Sequence, residues 1–314
     1  MRSYLTRLLI VIQFVIIIFG LLQNENRAFL KQLFLRSDAV LFNGSLYRLY
    51  LHQQKPRDSM LVASHAVDDY SWLGAEPFLV IAHGLGPKLY GGDNTIKTLV
   101  KGRERGFRVY EVDISLTADN VLVCYHGGDE TEINAMRYAD YLAVCRSKGQ
   151  DPCRFDDIVS YARKNPAVSF VLDVKNRFYD AYGMIRNAVG DQNLGKSFIP
   201  QVYDFEQLPF IRKDGLFAGE IFTSYRSALT NRQIFDYSKK YDVKVITLTL
   251  QRFVEQKGDF PRDLVILTHP VNDPFIAADV KKLGARGIYT SYITHRSIPE
   301  LFTSALFFTP LKQV

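Results

Sequence analysis

The chain is poor in cysteine. Cys124, Cys145 and Cys153 are odd in number among 314 residues and show no Cys-x-x-Cys spacing. That pattern excludes a disulfide framework and a cysteine zinc site. Cys124 falls inside an apolar, strand-like run and reads as core. Also missing is any basic stripe interleaved with aromatic residues, or a nucleic-acid-binding motif, despite a formal net charge of +6 and a pI near 9.0. Lys and Arg are spread along the chain as a solvated basic surface, so no nucleic-acid partner is expected. The sign of the charge suits an anionic partner instead, such as a phospholipid surface or a phosphate-bearing substrate. A third absence lies near the amino terminus. The run LLIVIQFVIIIFGLL (8–22) is interrupted only by Gln13, and Gln23 to Arg27 follow it rather than small residues in an A-x-A-like pattern. Without a cleavage pattern the run reads as an uncleaved anchor. Extended back to Tyr4, it approaches the roughly 20 residues that span a bilayer core.

The expected organisation is therefore a transmembrane anchor over 1–22, a juxtamembrane segment over 23–75 and one large domain over 76–314. Arg2 and Arg7 precede the apolar run, while Arg27, Lys31 and Arg36 flank its far side. The short basic tail favours a cytoplasmic amino terminus and an extracytoplasmic domain. Within 23–75, AFLKQLF suggests a short amphipathic helix, SLYRLYLH alternates like a strand, and Asn43-Gly44-Ser45 reads as a turn.

From Phe78 the pattern becomes regular. Apolar or β-branched runs recur at 78–82, 108–114, 168–174, 198–202, 220–225, 243–249, 264–268 and 286–290. Helical patterns lie between most of them, at 94–105, 155–164, 179–189, 231–241 and 274–283. Pro274 suits a first helical turn with Asp273 as its cap, and Gly284 suits the stop. Eight strands alternating with helices predict an α/β fold of the (β/α)8 TIM-barrel class. A doubly wound open sheet is the alternative, but it needs fewer strands.

Active sites of such barrels lie at the C-terminal ends of the strands, and polar residues of this chain fall there. His83 follows the first run, Glu111 and Asp113 close the second, and Asp173 and Lys175 close the third. Glu111 and Asp113 are two apart on a strand, so both project from one face, which in a barrel can be the lumen. Two carboxylates there repel unless they bind a cation or share a proton. Asp173, one strand over, supplies a third oxygen ligand. An all-oxygen set favours Mg²⁺ or Ca²⁺ over zinc. His126 ends a further apolar run, NVLVCYH (120–126). His52, His65 and His295 lack any such frame and read as structural or exposed.

These residues stand in a recognisable order. His83-Gly84, Asp93-Asn94-Thr95, Glu111-Val112-Asp113, His126 and Asp173-Val174-Lys175 are followed by HPVNDPFIAADVKKLGARGIYTSY from His269 to Tyr292. The series resembles the glycerophosphodiester phosphodiesterase family, related more distantly to phosphatidylinositol-specific phospholipases C and sphingomyelinases D. The resemblance implies that His83 and His126 are an acid/base pair and that Glu111, Asp113 and Asp173 hold the metal. It also implies that Lys175 contacts phosphate and that 120–126 forms a hairpin beside the second strand. Asp93 and His269 fall at substrate-contacting positions. The chain departs from the family pattern at Gly84, where the family has Arg, at Asp93, where it has Glu, at His269, where it has Trp, and at Ser291, where it has Asp. The substrate-contacting positions are the ones that have changed.

The expected function is a membrane-anchored, divalent-metal-dependent phosphodiesterase acting on glycerophosphodiesters or related (lyso)phospholipids. A metal would neutralise the non-bridging oxygens, while one imidazole deprotonates a nucleophile and the other protonates the leaving alkoxide. Attack by a hydroxyl of the substrate instead of water would give a cyclic phosphate, as in a cyclising phospholipase. A catalytically silent barrel binding a lipid head group or partner protein is the alternative from another class, motivated by Gly84 and Ser291.

Overall fold

The computed structural model describes residues 70–298 other than 75, 89, 90, 129 and 257. The expected anchor over 1–22, nearly all of the juxtamembrane segment, His52 and His65 lie outside the described residues. Among the described residues no helix is long and apolar enough to cross a membrane.

Nine strands form one sheet: β1 (Leu79–Ala82), β2 (Val109–Leu116), β3 (Leu122–Cys124), β4 (Ser169–Val174), β5 (Phe198–Val202), β6 (Ile221–Thr223), β7 (Val245–Thr249), β8 (Val265–His269) and β9 (Gly287–Thr290). Their order is β1-β9-β8-β7-β6-β5-β4-β2-β3, and a further parallel pairing of β1 with β2 closes the sheet on itself. Every pairing is parallel except β2 with β3. The fold is thus a closed eight-stranded parallel barrel, the TIM barrel that the alternation of patterns predicts, with β3 as an antiparallel hairpin on β2.

Ten α-helices accompany the strands: α1 (Ile96–Glu104), α2 (Glu130–Ala135), α3 (Tyr138–Ser147), α4 (Phe155–Lys164), α5 (Phe178–Val189), α6 (Gln192–Gly195), α7 (Leu208–Arg212), α8 (Asn231–Lys240), α9 (Leu250–Glu255) and α10 (Pro274–Lys282). Five correspond to the helical patterns in the sequence. Asp273 caps α10 by accepting from the amides of Phe275 and Ile276. The short helices α2 and α3, which follow the β2–β3 hairpin, have no clear counterpart in the sequence reading. β2 also runs three residues beyond Asp113 to pair with β3, so the carboxylates lie within the strand rather than at its end.

Two facing directions explain the continuous apolar runs, since barrel strands are covered on both sides. Outward-facing aromatics pack beneath the helices: Tyr110 stacks on Phe170, Phe170 on Phe198, and Phe205 on Phe222. Inward, side chains two apart climb the lumen in layers. The lowest is apolar, a cluster of Ile81, Val109, Val171, Ile199, Ile221, Val245, Leu267 and Tyr289, with Tyr70 and Trp72 also part of it. Above it is a neutral polar layer. The Thr223 hydroxyl donates to Gln201 Oε1 at 2.9 Å, Thr247 to the Tyr289 hydroxyl at 3.2 Å, and Tyr289 to Gln201 Oε1 at 3.2 Å. Further along the lumen-facing positions of the strands come Glu111 and then His83, Asp113, Asp173, Tyr203, Tyr225, His269 and Ser291.

Candidate active site

The carboxylates meet because of strand register. Asp113 of β2 and Asp173 of β4 are direct partners across the parallel pair, which places them about one strand spacing apart. Glu111 lies one lumen step below Asp113. All three are buried, and each offers an oxygen within 4.8 Å of the others.

Local backbone fixes their orientation. The amide of Gly84 donates to Glu111 Oε2 at 2.7 Å. Gly84 adopts φ 58°, a left-handed conformation natural to glycine, and a Cβ there would approach Asp93 Oδ1 to 3.2 Å. Asn94 grips Asp113 twice, its Nδ2 donating to Oδ2 at 2.7 Å and its Oδ1 accepting from the Asp113 amide at 3.0 Å. Asn94 is itself left-handed, at φ 56°, and immediately precedes Thr95, whose hydroxyl caps α1 by accepting from the Thr98 amide. Asp93 points elsewhere, with Oδ2 2.6 Å from the Lys88 ammonium at the rim.

Lys175 enters just past the end of β4. Its ammonium donates to Asp173 Oδ2 at 2.7 Å and lies 2.6 Å from Asp113 Oδ1, which receives no hydrogen bond of good geometry. Two tyrosines complete the environment of Asp173. The Tyr203 hydroxyl donates to Oδ1 and the Tyr225 hydroxyl to Oδ2 at 3.1 Å, and the two hydroxyls are 2.6 Å apart.

One lysine among three buried carboxylates leaves an excess of negative charge. Burial, then the charges of Asp113 and Asp173, push Glu111 well above the ordinary carboxylate range. Burial also acts to raise Asp113, but Lys175, followed by His83 and His126, outweighs it and holds Asp113 low. The shared proton therefore belongs on Glu111, because Lys175 lies against Asp113. Burial lowers the pKa of Lys175, yet the two aspartates more than offset it, so the ammonium is retained. Three buried oxygen donors that together carry an excess of negative charge fit a hard divalent cation, which would take the place of the proton on Glu111.

The histidines stand on opposite footings. His83 begins a single helical turn directly after β1, with a side chain 24% exposed. Its Nε2 lies 3.9 Å from Glu111 Oε2 and 3.2 Å from His269 Nε2, and its Nδ1 lies 3.4 Å from the Ser291 hydroxyl. Burial is the main reason its pKa is lowered, so the ring is neutral at neutral pH. His126 follows β3 and is exposed, its Nδ1 3.0 Å from the carbonyl of Gly127. His83, Asp113 and His126 all line one cavity of about 340 Å³, closed by Lys88, Tyr125 and Lys148. The cavity volume is that of a small-molecule site.

The structure therefore gathers the sequence-predicted residues at one end of the barrel, though not all face the cavity. His269 is half-buried against its neighbours, edge-on to His83 and Tyr289 and nearly parallel to Tyr225. Lys175 is 5% exposed and committed to carboxylates. His295 lies apart, 3.1 Å from Glu76. Sequence reasoning missed Asn94 as a holder of Asp113, and missed Tyr203 and Tyr225 entirely. The signal was present: each tyrosine is the next lumen step after Gln201 and Thr223. The three cysteines are free and buried, with Cys124 at the end of β3, in the core as its apolar run predicts.

No protein-family model matches the sequence, and no curated protein does. Solved structures match the fold. A glycerophosphodiester phosphodiesterase from Parabacteroides distasonis is 20% identical with a TM-score of 0.55, covering 69% of this chain and 94% of that one. One from Thermotoga maritima is 15% identical with a TM-score of 0.55, covering 69% and 96%. A phosphodiesterase from Oleispira antarctica, solved with its product sn-glycerol-3-phosphate, is 14% identical with a TM-score of 0.56, covering 71% and 95%. This chain shares their barrel over nearly their whole length.

Proposed function

We propose that the chain belongs with the glycerophosphodiester phosphodiesterases and is a divalent-metal-dependent phosphodiesterase. Its substrates in this reading are glycerophosphodiesters or related (lyso)phospholipids. The observation that carries the proposal is the buried triad of Glu111, Asp113 and Asp173 beneath a cavity that His83 and His126 both line. The shared barrel supports it, as does the glycerol phosphate product bound to the Oleispira antarctica protein.

In this reading Glu111, Asp113 and Asp173 would hold Mg²⁺ or Ca²⁺, whose chemistry would be to neutralise charge on the phosphoryl oxygens. The residues of the chain do the rest. His83, neutral because it is buried, accepts the proton of the attacking water or substrate hydroxyl. Ser291 and His269 hold its ring from two sides. His126, at the exposed lip, gives a proton to the departing alkoxide and recovers one from solvent. Asn94 keeps Asp113 aimed at the cluster, and the Tyr203 and Tyr225 hydroxyls do the same for Asp173. Asp93 and Lys88, paired with each other, also line the cavity.

Purified protein incubated with glycerophosphodiesters, with and without chelator, tests the proposal by phosphorus NMR. Chelator-sensitive release of a phosphomonoester is expected, and a persistent cyclic phosphate would indicate the cyclising reaction. Absence of cleavage across a panel of diesters would overturn it in favour of a silent barrel.

The anchor is a second part of the proposal. Its support is the apolar run over 8–22 and the absence of a cleavage pattern, with the domain facing away from the cytoplasm. Extraction should require detergent rather than carbonate, and release by carbonate would refute it.

A further inference from the structure

Arg226 stands in the loop between β6 and α8, beside the two tyrosines that reach Asp173. Its guanidinium lies 4.6 Å from the ring centre of Tyr203 and 5.6 Å from that of Tyr225. The hydroxyls of those same rings reach Asp173. One of its nitrogens, Nη1, approaches the carbonyl of Lys175 at 3.5 Å, a long contact. Among the described residues no carboxylate forms an ion pair with it.

That situation is unlike that of the other cations around the site. The ammonium of Lys175 is buried between Asp113 and Asp173. Lys88 is paired with Asp93. Lys148 lies over the Tyr125 ring, on the far wall of the cavity, with no link to the acids. Gly84 cannot readily be replaced by a longer residue, since its φ is positive and Asp93 stands 3.2 Å from where a Cβ would be. Arg226 is thus the described cation that is adjacent to the cluster, exposed and uncommitted.

A guanidinium stacked on aromatic faces keeps its plane fixed, leaving its N–H edge to bind an oxyanion in a bidentate way. We propose that Arg226, held by Tyr203 and Tyr225, is the anion-binding residue of the site and takes a non-bridging oxygen of the substrate phosphate. The proposal rests on the phosphodiesterase reading for the identity of the anion.

The test is calorimetric titration of inorganic phosphate and of sn-glycerol 3-phosphate into the full-length protein in Mg²⁺, as wild type, Arg226→Gln and Arg226→Lys. Melting temperatures are measured in parallel to detect any structural role. Arg226→Gln should weaken both ligands by about tenfold or more, the scale of a lost charge-assisted hydrogen bond, with an unchanged melting temperature. Arg226→Lys should recover part of that loss, because it keeps the charge without the rigid fork. Binding by Arg226→Gln within about twofold of wild type, or no binding by wild type at millimolar ligand, would overturn the proposal. Turnover of a diester by wild type is scored separately. Arg226-dependent phosphate binding without turnover would support the clamp while refuting the phosphodiesterase reading, and turnover with unaltered phosphate binding in Arg226→Gln would do the reverse.

Discussion

The floor of the site and its rim are built to different specifications. On the floor, Asp113 is fixed by strand register, by two hydrogen bonds from Asn94 and by the ammonium of Lys175. On the rim, His126 is exposed on the β3 hairpin, with its Nδ1 against the neighbouring carbonyl of Gly127. A buried charge has to be held, because an unpaired one costs several kcal/mol, about the whole margin of a folded domain. A group that exchanges protons with solvent needs access more than restraint. The contrast suits a site in which the floor carries permanent charge and the rim moves protons.

The comparison can be broken first at the floor. Glu111→Gln, Asp113→Asn or Asp173→Asn should remove essentially all turnover in saturating Mg²⁺, while circular dichroism and melting remain close to wild type. Each replacement is close to isosteric, so the packing of the cluster is kept. A variant of Asp113 that retained turnover within a few-fold would show that the floor is not the site.

Next come the histidines. His83→Ala and His126→Ala should each lower turnover by about a hundredfold or more, the usual contribution of a general acid or base. Metal affinity should change little in His126→Ala. Turnover by His126→Ala within a few-fold of wild type would show that His126 is not the acid.

A smaller effect is expected from the residue that ties floor to loop. Asn94→Ala leaves the buried Asp113 amide without an acceptor and puts a non-glycine, non-asparagine residue at positive φ. The expected loss is about 1–3 kcal/mol of stability, read from urea denaturation. An unchanged midpoint would mean that Asn94 does not hold the floor.

The smallest effect is one of pH. Glu111 has a raised pKa in the fold, so its protonated form is favoured by folding. The metal-free protein should therefore lose stability as pH rises from the ordinary glutamate value of 4.5 through the raised one. Asp113 acts in the opposite sense, its contribution present above the ordinary aspartate value of 3.8 and lost as pH falls toward its lowered one. His83 and His269, whose pKa values burial lowers, act against Glu111 up to the ordinary histidine value of 6.5. In chelator the melting temperature of wild type should therefore fall relative to that of Glu111→Gln between pH 5 and pH 8, and a rise relative to that variant would contradict the assignment of the proton.

Much of the floor was legible in the sequence, and much less of the rim. Barrel strands are covered on both faces, so their runs are apolar enough to be seen, and Glu111, Asp113 and Asp173 interrupt those runs conspicuously. The period of two then gives their common face without any structure. Tyr203 and Tyr225 do not interrupt anything, since tyrosine is common at strand ends, and only the lumen stacking shows what their hydroxyls reach. Asn94 looks like a helix-start residue and acts through a loop that folds back on β2. Lys175 could be placed by sequence but not its partners, because a four-carbon side chain can turn outward to a ligand or inward to the acids. The hairpin that carries His126 was expected. Its companion helices α2 and α3 were not, since α2 is a single polar turn and a half, with few apolar positions to mark it.

The central claim is that the floor is a divalent-cation site, and calorimetric titration of Mg²⁺ and Ca²⁺ into wild type and Asp113→Asn at constant pH tests it most directly. The account predicts one site per chain in wild type and an affinity lowered by about a hundredfold or more in Asp113→Asn, as expected when a charged ligand is lost. Equal affinity in the two proteins, or no binding by wild type at millimolar metal, would contradict it.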